Sequence, residues 1–128
     1  MNVKFQSSIF FEGKEQVIIN FSAPIKVFDD EIFGQNCKVF ECLNPENQEM
    51  IRLEFKNDEV TIFSGSSTLF FKQNTKIKNH YQNQSGSFFI NTLLTKMLYQ
   101  PDLVILEYQL LLLDDTLISD YKVQMEIS

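Results

Sequence analysis

Apolar and polar residues alternate with a period of two through most of this chain, and that narrows its possible folds more than any other feature. Val3, Phe5, Ser7, Ile9 and Phe11 share one parity, and Asn2, Lys4, Gln6 and Ser8 the other. Val17, Ile19, Phe21, Ala23 and Ile25 form a second row; Ile51, Leu53 and Phe55 alternate with Arg52, Glu54 and Lys56. Val104, Leu106, Tyr108, Leu110 and Leu112 make a fourth row, and Ser119, Tyr121, Val123, Met125 and Ile127 the cleanest of all. Successive side chains of a strand point to opposite faces, so such rows are strands with one face buried.

The punctuation agrees. Gly13, Gly34, Gly65, Gly86, Pro45 and Pro101 all fall between alternating runs. Glu12-Gly13-Lys14 is a tight hairpin signal, and Asn44-Pro45-Glu46-Asn47, Asn57-Asp58 and Asp114-Asp115 read as Asx-type turns. Nine or ten strand-like runs recur in the 128 residues, which predicts one all-β domain over residues 1–128, an antiparallel sandwich or barrel. Its 44% apolar content suffices for a core without metals or disulfides. Asn91–Tyr99 is ambiguous from pattern alone. Leu93, Leu94, Met97 and Leu98 have helical spacing, whereas Phe88, Ile90, Thr92 and Leu94 fit a strand.

Charge and cysteine usage bound the setting. A formal charge of −6 disfavours DNA and anionic membranes as partners. No apolar run approaches the ~20 residues needed to cross a bilayer as a helix, so no membrane insertion is expected. Cys37 and Cys42 are an odd distance apart, on opposite faces of any strand, which disfavours a bridge. No basic-then-apolar leader opens the chain, and a cytoplasmic address is the expectation. The preference for lysine over arginine, with abundant Phe, Ile and Asn, suggests an AT-rich bacterial genome.

Much familiar chemistry has no foothold. His80 is the sole histidine and Cys37/Cys42 have no zinc spacing, so no metal is expected. The scattered glycines form neither a phosphate loop nor a dinucleotide fingerprint, so no cofactor is expected. Ser64-Gly65-Ser66-Ser67 reads as a hairpin turn before it reads as an anion nest. Asp29-Asp30-Glu31 and Asp114-Asp115 read as solvated turns before they read as paired catalytic carboxylates. No G-x-S-x-G elbow supports a serine hydrolase around His80.

Two features rise above this background. Residues 60–101 contain no acid and carry Lys72, Lys76, Lys78 and Lys96, a formal charge of +4. On a strand, Lys76, Lys78 and His80 would form an outward basic surface near exposed aromatics such as Phe70, suited to anions or single-stranded nucleic acid. The alternative is that these lysines offset acids on adjacent strands, such as Glu107. Second, Tyr81, Tyr108, Tyr121 and Thr92 share parity with inward apolar residues. In a barrel their hydroxyls could orient a ligand, or simply pack in the core with backbone or water partners.

The C-terminal half resembles the YwiB-like family of uncharacterised bacterial calycin-like barrels. The likeness rests on Val60-Thr61-Ile62-Phe63-Ser64-Gly65, on Tyr81-Gln82-Asn83-Gln84-Ser85-Gly86-Ser87, on Thr92, and on Leu103-x-x-x-Glu107-Tyr108-x-Leu110 with the final strand. Phe63 departs from the arginine usual in that family, and Asn83-Gln84 from a threonine-proline pair. The resemblance implies a closed or nearly closed antiparallel up-and-down β-barrel of about eight strands, or up to ten on the periodicity, lipocalin/calycin-like, with Asn91–Tyr99 a strand. It implies no activity. The expectation is a non-enzymatic binder of a small apolar or amphipathic ligand, with Tyr81, Thr92, Tyr108 and Tyr121 as polar contacts. The alternative is a macromolecular interaction module using Lys76, Lys78 and His80. A homodimer is also conceivable through exposed apolar residues such as Phe89 and Leu111.

Overall fold

The computed structural model describes residues 1–83 and 86–128; Gln84 and Ser85 of the tyrosine motif lie outside the described residues. Ten strands follow one another: β1 (Asn2–Phe11), β2 (Lys14–Ile32), β3 (Gln35–Leu43), β4 (Met50–Lys56), β5 (Glu59–Ser64), β6 (Ser67–Lys72), β7 (Lys76–Asn83), β8 (Gly86–Gln100), β9 (Leu103–Leu111) and β10 (Leu117–Ile127). All named pairings are antiparallel, in the spatial order β6-β5-β4-β3-β2-β1-β10-β9-β8-β7. This is the expected up-and-down barrel, nearly closed. Every pair of chain neighbours is laddered except β6 and β7, which face each other without a backbone ladder, and β1 pairs with β10 as well as with β2.

Turn chemistry sets the hairpins. Glu12 and Gly13 both have positive φ, as do Phe33 and Gly34, the geometry that matches strand twist in two-residue turns. Side-chain oxygens of Asn44, Asn47 and Asp114 accept bonds from the amides of Glu46, Glu49 and Thr116, the Asx turns predicted from sequence.

The inward rows are those read from the periodicity, with register shifts at three places, one of them at Ile118 where β10 begins. Ile18 is an extra residue opposite Ser7/Ser8, and Thr95 an extra residue between Leu94 and Lys96. The bulge at Thr95, whose hydroxyl bonds the Glu107 carbonyl at 3.1 Å, explains the ambiguity of Asn91–Tyr99. It lets Leu94 and Met97 face the core three positions apart, a helical spacing inside a strand. Beyond the bulge at Ile18, Phe11 and Val17 leave the core and are exposed.

Two further expectations are corrected. Asp29-Asp30-Glu31 is no turn: it ends the 19-residue β2, paired with β3, and Asp29 and Asp30 form ion pairs with Lys38 and Arg52. Leu111 has the outward parity but is buried, with Asn91 and Leu117 as its partners on β8 and β10. Cys37 and Cys42 are free and buried; Cys42 belongs to the core cluster.

One end of the barrel is filled. Phe55 packs edge-on against Phe40 (centroids 5.5 Å) and stacks on Tyr99 (4.4 Å), and Leu94, Val104, Leu106 and Met125 are fully buried around them. Burying side chains of this size contributes about 1.5–3 kcal/mol each.

The seam between β6 and β7 is closed by side chains. The Phe70 amide donates to Asn79 Oδ1 at 2.7 Å, and Asn79 Nδ2 donates to the Phe70 carbonyl at 3.0 Å and to Thr92 Oγ1 at 3.1 Å. Thr92 Oγ1 in turn donates to the Phe70 carbonyl at 2.7 Å. Asn79 thus offers β6 the donor and acceptor that a neighbouring backbone would have supplied. Both side chains are buried, so their full satisfaction is what makes their burial tolerable.

Candidate functional site

The other end of the barrel is open. A cavity of about 260 Å³ enters there, lined from β1, β2, β4, β5, β6, β7, β9 and β10. Its buried wall is apolar, including Phe5, Ile51, Leu53 and Val123. Its polar groups are hydroxyls: Ser7 is buried, and Ser64, Ser67, Tyr81 and Tyr121 are half-buried. Among the described residues, no charged side chain lines it. Ile18, the bulge residue, stands half-exposed at the rim.

Three of the four tyrosine-and-threonine candidates meet here. Tyr108 and Tyr121 are cross-strand partners on β9 and β10, and their rings stack at 5.3 Å and 17°. Phe71 packs on the other ring of this pair, Tyr108, at 4.7 Å. Tyr81, near the end of β7, leans against Phe88 at 5.4 Å. Burial, then the proximity of the Tyr121 and Tyr81 phenols, pushes the Tyr108 hydroxyl well above the ordinary tyrosine range. It is therefore neutral at any physiological pH. Ser119 Oγ donates to the Tyr121 hydroxyl at 3.4 Å. Thr92 is placed elsewhere: fully buried in the seam, its hydroxyl is engaged with Phe70 and Asn79.

Sequence reading missed the serines. Ser7 sits in an otherwise inward apolar row, a signal available from parity. Ser64 and Ser67 were read only as turn residues, yet they are cross-strand partners on the cavity wall.

On the outer face, Lys76, Lys78 and His80 share one side of β7, but they are not an open basic ladder. Lys76 Nζ pairs with Asp115 at 2.6 Å, and Lys96 with Glu107 at 3.8 Å, the offsetting of acids considered above. Lys78 Nζ lies 4.6 Å from the centre of the Phe89 ring, and His80 stacks on the same ring at 4.9 Å. Among the described residues, no carboxylate or hydroxyl hydrogen-bonds the imidazole. Nor does any group of three or more His, Cys, Asp or Glu among the described residues have the geometry of a metal site. Among the described residues, no helix is long and apolar enough to cross a membrane.

A second charged cluster lies outside the barrel on β2–β4. Arg52 binds Glu54 (2.6 Å), Glu41 (2.8 Å) and Asp30 (3.4 Å) and lies over the Phe28 ring. Partial burial works against its charge, but the bonds to Glu54 and Glu41 more than offset this and raise its pKa. Each of its three guanidinium nitrogens meets a carboxylate, so this arrangement ties three strands together.

No family model matches the chain. An uncharacterised protein of Mycoplasmopsis pulmonis (strain UAB CTIP) is 30% identical over 99 residues, covering 76% of this chain and 75% of that protein. Among solved structures, the ywiB protein from Bacillus subtilis superposes with a TM-score of 0.59, covering 99% of this chain and 90% of that one. At 10% identity this likeness is one of fold.

Proposed function

We propose that this chain, which belongs to the same family as the Mycoplasmopsis pulmonis protein, is a non-enzymatic calycin-like carrier. It takes one small apolar or amphipathic molecule into the open end of its barrel. The observation that carries the reading is the cavity itself: an apolar wall, a few convergent hydroxyls and a mouth, the usual anatomy of a small-molecule site. Its 260 Å³ lies just under the range of about 300–1,000 Å³ for such sites, which favours a compact ligand. Tyr81, Tyr108 and Tyr121 supply the polar contacts. The reading needs no metal or cofactor, and we place the protein in the cytoplasm.

Native mass spectrometry of freshly purified protein tests this reading. A co-purifying small molecule is expected on the natural chain and absent from Ser67→Phe, whose ring fills the cavity. Leu69→Trp serves as a second filled variant should the first fold poorly. A natural chain that carries nothing, and binds nothing in a fragment screen that either variant blocks, overturns the reading.

A second reading has one specific observation behind it. Lys78 and His80 converge on Phe89, which is half exposed, giving an aromatic face flanked by two nitrogen bases. Such a patch suits a macromolecular partner, RNA or protein, or a second copy of the chain. Binding through it would weaken steeply with added salt; a partner retained at high salt counts against it.

A further inference from the structure

Resting on the cavity reading above, we infer that the ligand class is restricted by charge: the barrel takes a neutral amphiphile and rejects the carboxylate, phosphate or ammonium of the same skeleton. Two independent observations support this. The first is the lining. Among the described residues it contains hydroxyls and hydrocarbon but no Asp, Glu, Lys, Arg or His. Hydroxyls both donate and accept, so Ser64, Ser67 and Tyr81 can satisfy an alcohol, carbonyl or amide in either sense. They cannot neutralise an ion, and an ion taken from water into such a site loses far more hydration than one or two neutral hydrogen bonds return. Tyr108 does not change this by ionising, since its proton is held firmly.

The second observation is the rim. The turns at the open end carry Glu12, Glu46, Glu49, Asp114 and Asp115, against Lys14 and Lys76 close by, and Lys76 is already paired with Asp115. Glu49 lies over the β5–β6 turn: a Cβ on Gly65 would stand 2.7 Å from its Oε2. That carboxylate therefore sits beside the Ser64–Ser67 pair and repels any anionic head presented there. The orientation of the ligand follows. Its apolar end meets the buried Phe5, Leu53 and Val123, and its neutral polar end rests on the half-buried hydroxyls nearer solvent. Glu49 acts from outside the cavity, so an ammonium still gives up its water on entry and meets only neutral hydroxyl acceptors, with no counter-charge in the described lining.

The test uses two skeletons, hexyl and benzyl, each as alcohol, carboxylate and ammonium, titrated into the full chain at pH 7 with ligand-observed NMR. The alcohols are expected to bind and to be displaced from the Ser67→Phe variant. The ions of the same skeleton should bind weaker by on the order of tenfold or more. Carboxylate or ammonium forms that match or exceed the alcohols overturn the charge restriction while leaving the cavity as a binding site. Failure of both skeletons in every charge state overturns the cavity reading itself.

Discussion

The two ends of this barrel are built from the same alternating strands, yet one is solid and the other hollow. At the solid end the inward positions hold Phe40, Phe55, Tyr99, Leu94 and Met125, large side chains whose rings pack on one another. At the hollow end Ser7, Ser64 and Ser67 occupy equivalent inward positions, and each brings a hydroxymethyl where the other end has a ring or a branched chain. The void is therefore a consequence of residue size on an unchanged backbone pattern. Volume removed from the interior of a close-packed protein costs stability, so a barrel that keeps a hollow end sets its solid end to carry the fold.

Substitutions at the two ends break or sharpen this contrast. The largest effect is expected for Phe55→Ala at the solid end, a loss of about 3–5 kcal/mol read from the urea midpoint. Asn79→Ala in the seam comes next. It leaves the part-buried Phe70 amide and carbonyl with fewer partners and should cost about 1–3 kcal/mol. Hydrogen exchange is then expected to quicken first at β6. An Asn79→Ala protein as stable as the natural one would mean that backbone groups, not this side chain, close the ring. Ser67→Phe at the hollow end should change stability by less than about 1.5 kcal/mol in either direction, because space already exists for the ring. A loss as large as that of Phe55→Ala would erase the distinction between the ends.

The last effect concerns Cys42 and shows only in the pH dependence of stability above neutrality. Burial, with a lesser contribution from the Glu41 charge, pushes its thiol from 9.0 up to about 11. The native state thus favours the protonated thiol. The associated stability is complete below pH 9 and is lost as pH rises through about 11. Cys42→Val should lack that part of the alkaline slope in denaturation curves taken from pH 9 to 11. Equal slopes for the two proteins would place the thiol in a wetter environment than its burial indicates.

Periodicity made the architecture legible because each inward row reports its own strand locally. Val123, Met125 and Ile127 are buried as their parity requires. What could not be read was set by partners far along the chain. Asp29-Asp30-Glu31 has the composition of a turn, but Lys38 and Arg52 across the ladder make it an acceptable strand. The bulge at Thr95 shifts the phase of β8 within a run of residues that all suit a strand, so only pairing with β9 reveals it. The site was half legible. Parity brought out Tyr81, Tyr108 and Tyr121, but it could not tell a hydroxyl facing space from one already used, and Thr92 is of the second kind. For Lys76 the same ignorance of distant partners concealed Asp115.

The seam has a topological consequence. Residues 2 and 128 exchange backbone hydrogen bonds at 2.8 and 2.9 Å, so the two ends of the described chain already meet in β1 and β10. The gap in the backbone ladder falls at the turn joining β6 to β7. Linking 128 to 2 and cutting the chain between Lys72 and Lys76 would yield a circular permutant whose every ladder is a simple hairpin. The sheet would then read as one linear meander, its contact order reduced to the local minimum for ten strands. The barrel is in effect a ribbon rolled up and buttoned by Asn79, with β1 and β10 side by side in the middle of the cloth.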